Sequence, residues 1–120
     1  MHEVEIAVDL RDGVPLVRVH GEHDVSNQEL LRDGLATALA QGSVVVVDLS
    51  EASFVDSSVL HTLASAGHPA RDAPGRAIVV CARGDGLTRR LLHLAGLDEG
   101  VPIAETVEDA LRSATAEPVA

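Results

Sequence analysis

The sequence has almost no aromatic residues and only one cysteine. Its 120 residues include one Phe, no Trp and no Tyr, so the core has to be built from Val, Leu, Ile and Ala. Without aromatic rings the chain has no platform on which the bases of a nucleic acid could stack. The single cysteine, Cys81, excludes an internal disulfide and fits a reducing compartment.

Positive charge and long apolar runs are scarce as well. The 19 Asp and Glu residues outnumber the 9 basic residues, all of them Arg, and the formal net charge is −10. An acidic surface repels nucleic-acid phosphates and anionic lipids, which disfavours both as partners. No apolar run approaches the roughly 18 residues of a membrane-spanning helix, and the first ten residues lack the segments of a signal peptide. We therefore expect a cytoplasmic protein with no membrane or nucleic-acid partner.

The most informative segment is residues 44–61, VVVVDLSEASFVDSSVLH. Its four valines predict a central strand buried on both faces. A polar turn is predicted at 50–53, after which Phe54 and Val55 return to the core. Asp56, Ser57 and Ser58 then precede a helical pattern, and small oxygen-bearing side chains can cap the free N–H groups of a helix start. The segment thus predicts an exposed serine at a strand-to-helix turn, where ligands and regulators of open α/β sheets act.

The first part of the chain predicts a hairpin and a helix. Alternating residues at 4–10 predict a half-exposed strand, Asp12-Gly13 a tight turn, and 14–20 the returning strand. A polar loop is predicted at 21–24. The helix that follows should run to Gln41 and stop at Gly42 in a left-handed conformation.

The second part predicts further alternation of helices and strands. A helix from Ser57 to 67–69 is followed by a loop at 69–75, a buried strand at 76–82 and an edge strand at 101–104. Thr106 is predicted to cap the last helix. The third helix should end at Gly96 and bury one face made of Leu87, Leu91, Leu94 and Ala95.

These elements together predict an α/β fold with a mixed, mostly parallel sheet of about five strands. About four helices should cover it, largely on one face because the crossovers are right-handed. We expect one domain at 1–115 followed by a frayed tail at 116–120.

Three motifs in this order resemble the STAS domain, in the form found in bacterial anti-sigma factor antagonists. They are GEHD at 21–24, VVVVDLSEASFVDSSVL at 44–60 and ARGDGLTRRLLHLAGLD at 82–98. Each motif alone is weak, but all three occur in the right order and at the right spacing in a chain of this length. The resemblance covers nearly the whole chain and implies a STAS-like fold.

The resemblance also implies a function without catalysis or a cofactor. In that family the partner, an anti-sigma factor that is also a serine kinase, phosphorylates the serine that corresponds to Ser57. The unphosphorylated antagonist binds the anti-sigma factor and frees sigma for transcription, and a PP2C-type phosphatase resets the phosphorylated form. The resemblance implies contact with the partner around this serine, and we expect a monomer. The residues assigned to that contact are Glu22, Asp24, Asp56, Ser58, Val59 and His61.

The sequence departs from the family at one point, which leaves an alternative open. Where the family has G-L-G after the serines, this chain has Val59, Leu60 and His61, which add bulk where the kinase docks. The alternative is a STAS-domain binding subunit without a phosphoswitch, as in a stress-signalling complex or a lipid-transport assembly.

Two other interpretations of the polar residues, a hydrolase site and a metal site, have less support than a partner contact. Ser57 and His61 lie four residues apart on one helix and, with Asp24 or Asp56, would make a Ser-His-Asp set. No G-x-S-x-G motif supports a hydrolase, so we expect no enzyme. The six histidines show no spacing typical of a metal site, and we expect no metal. Ser57 could also serve only as a helix cap.

Overall fold

The computed structural model describes residues 4–67 and 77–115. The predicted tail at 116–120, the loop at 69–75 and the helix end at 68–69 lie outside the described residues. The elements, in chain order, are β1 (Glu5–Arg11), β2 (Val14–His23), α1 (Gln28–Gln41), β3 (Val44–Val55), α2 (Ser57–Gly67), β4 (Ala77–Cys81), α3 (Leu87–Leu94), β5 (Ile103–Ala104) and α4 (Val107–Thr115).

The strands form one sheet in the order β1-β2-β3-β4-β5. β1 is antiparallel to β2, and every other neighbouring pair is parallel. Asp12 and Gly13 have φ angles of 53° and 80°, as a two-residue hairpin turn requires. The predicted mixed sheet, its hairpin and its covering helices are confirmed.

Apolar side chains cover both faces of the sheet, with three helices on one face and α4 on the other. The larger core packs α1, α2 and α3 against β2, β3 and β4 through residues such as Leu35, Leu63 and Leu92. The smaller core packs Ala110 and Leu111 of α4 on the opposite face. The expectation that the helices lie largely on one face is therefore confirmed, with α4 as the exception.

Cys81 belongs to the smaller core, as its position in a buried strand predicts. It lies opposite Asp48 on β3, whose side chain is also buried. Burial raises the pKa of the Cys81 thiol to about 12, and the negative charge of Asp48 adds to the shift. The thiol therefore stays protonated at neutral pH and behaves as a small apolar side chain.

The predicted turn at 50–53 is wrong, because β3 continues through it to Val55. The register between β2 and β3 shifts twice, between Arg18 and His20 and between Gly21 and Glu22, and each shift leaves one extra residue in β3. Such bulges break the alternation of polar and apolar residues by which a strand is identified. Val55 is buried as predicted, but Phe54 is 43% exposed and does not return to the core.

The polar loop predicted at 21–24 is also wrong, because β2 extends to His23. Gly21 has a φ of 88°, which lets the strand bend without steric cost. His23 is fully buried, and its Nε2 lies 2.9 Å from the carbonyl oxygen of His20. The motif GEHD therefore begins inside the sheet and leaves it only at Asp24.

Two predicted details of the helices need correction. Gly42 is extended rather than left-handed, with a φ of −170°. A β-carbon there would lie 3.1 Å from the ring of Pro15, so close approach of the backbone favours glycine. In α3 the buried residue is Leu92, whereas Leu87 and Leu94 are exposed. The spacing of Leu87, Leu91 and Leu94 identifies the wrong face, because the helix turns Leu92 and the half-buried Leu91 towards the core. Gly96, with a φ of 75°, and the Thr106 cap are confirmed.

Candidate functional site

Ser57 is the first residue of α2, and only Asp56 separates it from the end of β3. Its side chain is exposed, and within residues 4–67 and 77–115 its hydroxyl forms no hydrogen bond. The α-helix behind it fixes its position, because its neighbours in the first turn are held by hydrogen bonds. The structure thus presents a free hydroxyl on a rigid support.

The cap of α2 is Asp56 rather than either serine. Its Oδ1 accepts hydrogen bonds from the backbone N–H groups of Ser58, at 2.9 Å, and Val59, at 3.3 Å. The hydroxyl of Ser58 also donates to Oδ1. An aspartate that accepts from the second and third residues of a helix is a typical N-cap. The cap expected among Asp56, Ser57 and Ser58 therefore falls on Asp56.

These hydrogen bonds lower the pKa of Asp56. The largest cause is the hydrogen bond from the Ser58 hydroxyl, and the N–H groups of Val59, Ser58 and Val25 add to it. Partial burial of the carboxyl opposes the shift but does not cancel it. Asp56 is therefore ionised at neutral pH and places a negative charge beside Ser57.

Asp24 shapes the loop that follows β2. Its Oδ1 accepts from the backbone N–H of Ser26, and its own N–H donates to the side chain of Asn27. Asn27 also donates from its side-chain amide to the carbonyl oxygen of Glu22. This capping box forms a short 3-10 turn over Val25–Asn27. Asp24 therefore stabilises this turn, in addition to any contact with a partner.

Two hydrogen bonds join this turn to the start of α2. The N–H of Val25 donates to Oδ2 of Asp56 at 3.1 Å, and the N–H of Asp56 donates to the carbonyl oxygen of His23 at 3.2 Å. Both loops leave the carboxyl ends of neighbouring parallel strands. The Asp24 loop and the start of α2 therefore lie at the same end of the sheet. Asp56 is the residue that links them.

Other residues expected at this site have different degrees of exposure. His61 is exposed on α2, while Glu22 and Ser58 are half-buried. The side chain of Val59 is completely buried in the larger core, so its assignment to the partner contact is wrong. Its place two residues after an exposed serine puts it on the inner side of the helix, facing the sheet.

His61 borders a groove of 280 Å³ between α2 and the segment after α3. Leu60, Ala64, Leu97 and Val101 are among the apolar residues that line it. Within the described part of the chain, no hydrogen bond joins His61 to Ser57 or to Asp56. The Ser-His-Asp set considered from the sequence is therefore not assembled by hydrogen bonding, and Asp56 is engaged with backbone N–H groups instead.

Three exposed apolar side chains lie at this end of the sheet. Val25 is 66% exposed, Phe54 43% and Leu87 60%. Val25 bonds to Asp56, Phe54 is two residues before it, and Leu87 lines a pocket with Ser53 at the end of β3. Exposed apolar clusters with a polar rim are typical of protein interaction sites. The sequence does not predict these exposed positions, because its apolar pattern places Phe54 and Leu87 in the core.

Residues 4–67 and 77–115 contain neither a metal-binding cluster nor a membrane-spanning helix. No group of three or more His, Cys, Asp or Glu residues there is arranged to hold a metal ion. No helix in the same ranges has the length and hydropathy needed to cross a membrane.

Comparison with known proteins gives similarity along nearly the whole chain. A family model described as the STAS domain matches residues 5–110. The anti-sigma-F factor antagonist RsfB of Mycobacterium tuberculosis is 30% identical over 109 residues, which cover 90% of this chain and 87% of that protein.

Solved structures show the same similarity. The crystal structure of an anti-sigma factor antagonist from Mycobacterium paratuberculosis has a TM-score of 0.83 and 32% identity, covering 95% of this chain and 96% of that one. Unphosphorylated SpoIIAA, another anti-sigma factor antagonist, has a TM-score of 0.62 at 20% identity and covers 98% of this chain and 100% of its own. The last comparison shows a common fold.

Proposed function

This chain belongs to the STAS domain family, and we propose that it is an anti-sigma factor antagonist whose binding is switched by phosphorylation of Ser57. The family model spans residues 5–110, and a relative 30% identical over 90% of the chain is named an anti-sigma-F factor antagonist. The proposed partner is an anti-sigma factor with serine kinase activity, and a PP2C-type phosphatase would reverse the modification. The protein would regulate sigma-factor-dependent transcription by binding, without catalysis of its own.

The observation that carries this proposal is the contrast between two adjacent serines. Ser57 is exposed and its hydroxyl has no partner among the described residues, whereas the Ser58 hydroxyl donates to Asp56. A kinase needs an accessible hydroxyl that can rotate towards the γ-phosphate. Phosphorylation of Ser58 would also break its hydrogen bond to the cap of α2. Both considerations favour Ser57 as the acceptor.

The proposed partner surface consists of Ser57 and the apolar residues around it. Val25, Phe54 and Leu87 are exposed at this end of the sheet and would supply apolar contact area, while Asp24, Glu22 and His61 would supply polar contacts. Interfaces of this kind have an apolar centre that excludes water and a polar edge that orients the partner. The site is mostly preformed, because hydrogen bonds of Asp56 and Asp24 hold both loops.

Phosphorylation would act on this surface through charge. A phosphoserine adds about −1.5 to −2 charges at pH 7. The N–H groups of Ser58 and Val59, which could otherwise attract the phosphate to the helix start, already donate to the ionised Asp56. The phosphate would therefore remain on the surface beside another negative charge. Binding would weaken because the partner would have to desolvate both charges.

Substitution of each serine tests the assignment of the acceptor. On incubation with the cognate kinase and ATP, Ser58→Ala should gain one phosphate and Ser57→Ala none, as measured by intact mass and peptide mapping. The two variants form a matched pair, because each removes one hydroxyl from the first turn of α2.

Two other outcomes of this experiment would contradict the proposal. Phosphate on Ser57→Ala but not on Ser58→Ala would move the acceptor by one residue. No phosphate on the wild-type protein, together with tight binding to the anti-sigma factor, would identify a binding subunit without a phosphoswitch.

A further inference from the structure

The outer edge of β1 is open in the described part of the chain. β1 pairs with β2 on one side and is the last strand of the sheet on the other. Two large apolar side chains are exposed near this edge, Leu10 at 61% and Leu30 of α1 at 45%. An exposed strand edge is a template for pairing with another strand.

The hairpin determines which backbone groups of β1 face outwards. Its two-residue turn closes on the pair Arg11–Val14, which is hydrogen-bonded in a hairpin of this length. Hydrogen-bonded and non-hydrogen-bonded residue pairs alternate along an antiparallel pair of strands. Ile6, Val8 and Leu10 occupy non-hydrogen-bonded positions, so their N–H and C=O groups point away from β2. Pro15, opposite Leu10, has no N–H to offer, which agrees with this assignment.

We propose that a second copy of this chain pairs with this edge, joining the two β1 strands antiparallel about a two-fold axis at Val8. In this register Glu5 of each copy lies opposite Arg11 of the other, and Ile6 lies opposite Leu10. Val8 of one copy pairs with Val8 of the other through the backbone groups that face outwards. No ion pair within the described ranges involves Glu5 or Arg11, so both charges are available.

Charge selects this register over its neighbours. A two-fold axis at Ala7 would place Glu5 opposite Asp9, and an axis at Asp9 would place the two Asp9 side chains opposite each other. Like charges directly opposite each other destabilise a strand pair, while opposite charges and apolar pairs stabilise it. The register at Val8 has two opposite-charge pairs and no like-charge pair.

The groove between β1 and α1 would accept the apolar side chains of the second copy. Ile6, Val8 and Leu30 line this groove, and the first two are only half-buried. At Gly34 α1 lies so close to β1 that an added β-carbon would be 2.7 Å from Ile6. Leu10 shares a face of β1 with Ile6 and Val8 because side chains alternate along a strand. In the proposed pair, Leu10 of one copy therefore covers Ile6 of the other beside Leu30.

This proposal is independent of the function proposed above and replaces the monomer expected from the sequence. It leaves Ser57 accessible on each copy, because that residue follows β3, two strands away from the paired edge. The dimer is isologous, since the same patch serves on both copies.

Charge reversal tests the register. Glu5→Arg and Arg11→Glu each replace two attractive pairs per dimer by two repulsive ones, so each should raise the dimer dissociation constant about tenfold or more. The double variant restores both pairs in reversed order and should dimerise like the wild type. Sedimentation equilibrium over a range of protein concentrations measures all four proteins.

The two single variants control for net charge, because they change the value of −10 in opposite directions, to −8 and to −12. Both should nevertheless weaken the dimer. A wild-type protein that stays monomeric at millimolar concentration would overturn the proposal. So would a dimer whose dissociation constant follows net charge alone, or one that the double variant fails to restore. Circular dichroism of each variant confirms that it is folded.

Discussion

Replacing Asp56 with Ala should lower the free energy of unfolding by about 2 kcal/mol, the upper end of the cost of losing a helix N-cap. The carboxylate accepts hydrogen bonds from Ser58 and Val59 at the start of α2 and from Val25 in the neighbouring loop. Ala can accept none of them, and the donors would be left to find other partners. For a domain of this size the loss corresponds to a fall in Tm of about 8 °C, which calorimetry measures.

The contribution of Asp56 should also depend on pH. Hydrogen bonds, first of all that from Ser58, lower the pKa of this carboxyl in the folded protein. A carboxyl with a lowered pKa stabilises the fold above its unfolded pKa of about 4, and loses that contribution as pH falls through the folded pKa. The stability difference between wild type and Asp56→Ala should therefore shrink when the protein is unfolded at successively lower pH.

Two further variants separate the cap from the charge. Asp56→Asn keeps one oxygen that can accept hydrogen bonds from the N–H groups at the start of α2. Its NH2 group cannot accept a hydrogen bond from the N–H of Val25, so the loss of stability should be intermediate. Asp85→Ala removes one negative charge from an exposed position before α3 and should leave Tm nearly unchanged. An equal Tm for Asp56→Ala and Asp85→Ala would show that the carboxylate does not hold the two loops together.

The sequence predicts the parts of this fold in which local pattern and packing agree. Val45, Val46 and Val47 of β3 are buried as their uninterrupted run indicates, and the Asp12-Gly13 turn has the backbone angles that its residues favour. Gly96 is left-handed and Thr106 caps α4, since each signal acts within one turn of the chain.

The parts that the sequence does not predict depend on contacts between distant segments. The stretch at 50–53 is extended because β2 pairs with it, and the two bulges hide the period of two that would identify a strand. His23 is buried for the same reason, although its neighbours in the sequence are polar. Nothing in the sequence around Asp56 shows that its second oxygen accepts from Val25, 31 residues away. The sequence therefore predicts the strand-to-helix turn that carries the candidate site, but not the hydrogen bond that links its two loops.

Phosphorylation of Ser57 should weaken binding to the cognate anti-sigma factor about a hundredfold, on the order of 3 kcal/mol, because unfavourable charge in a desolvated contact costs several kcal/mol. The phosphate would lie beside the ionised Asp56, at the end of the sheet where Val25 and Phe54 are exposed. Ser57→Glu carries a smaller charge and should weaken binding less, about tenfold. Isothermal titration calorimetry with the purified anti-sigma factor measures each affinity.

The control for added charge is Ser113→Glu, at an exposed position on α4 at the opposite face of the sheet, which should bind like the wild type. Salt distinguishes repulsion from steric exclusion, since ions screen charges near the surface over about 10 Å at 0.1 M. If repulsion dominates, the effect of Ser57→Glu should diminish as ionic strength rises. A loss that does not change with salt would assign the switch to the bulk of the added group. Equal affinities of the phosphorylated and unphosphorylated proteins would remove Ser57 from the contact.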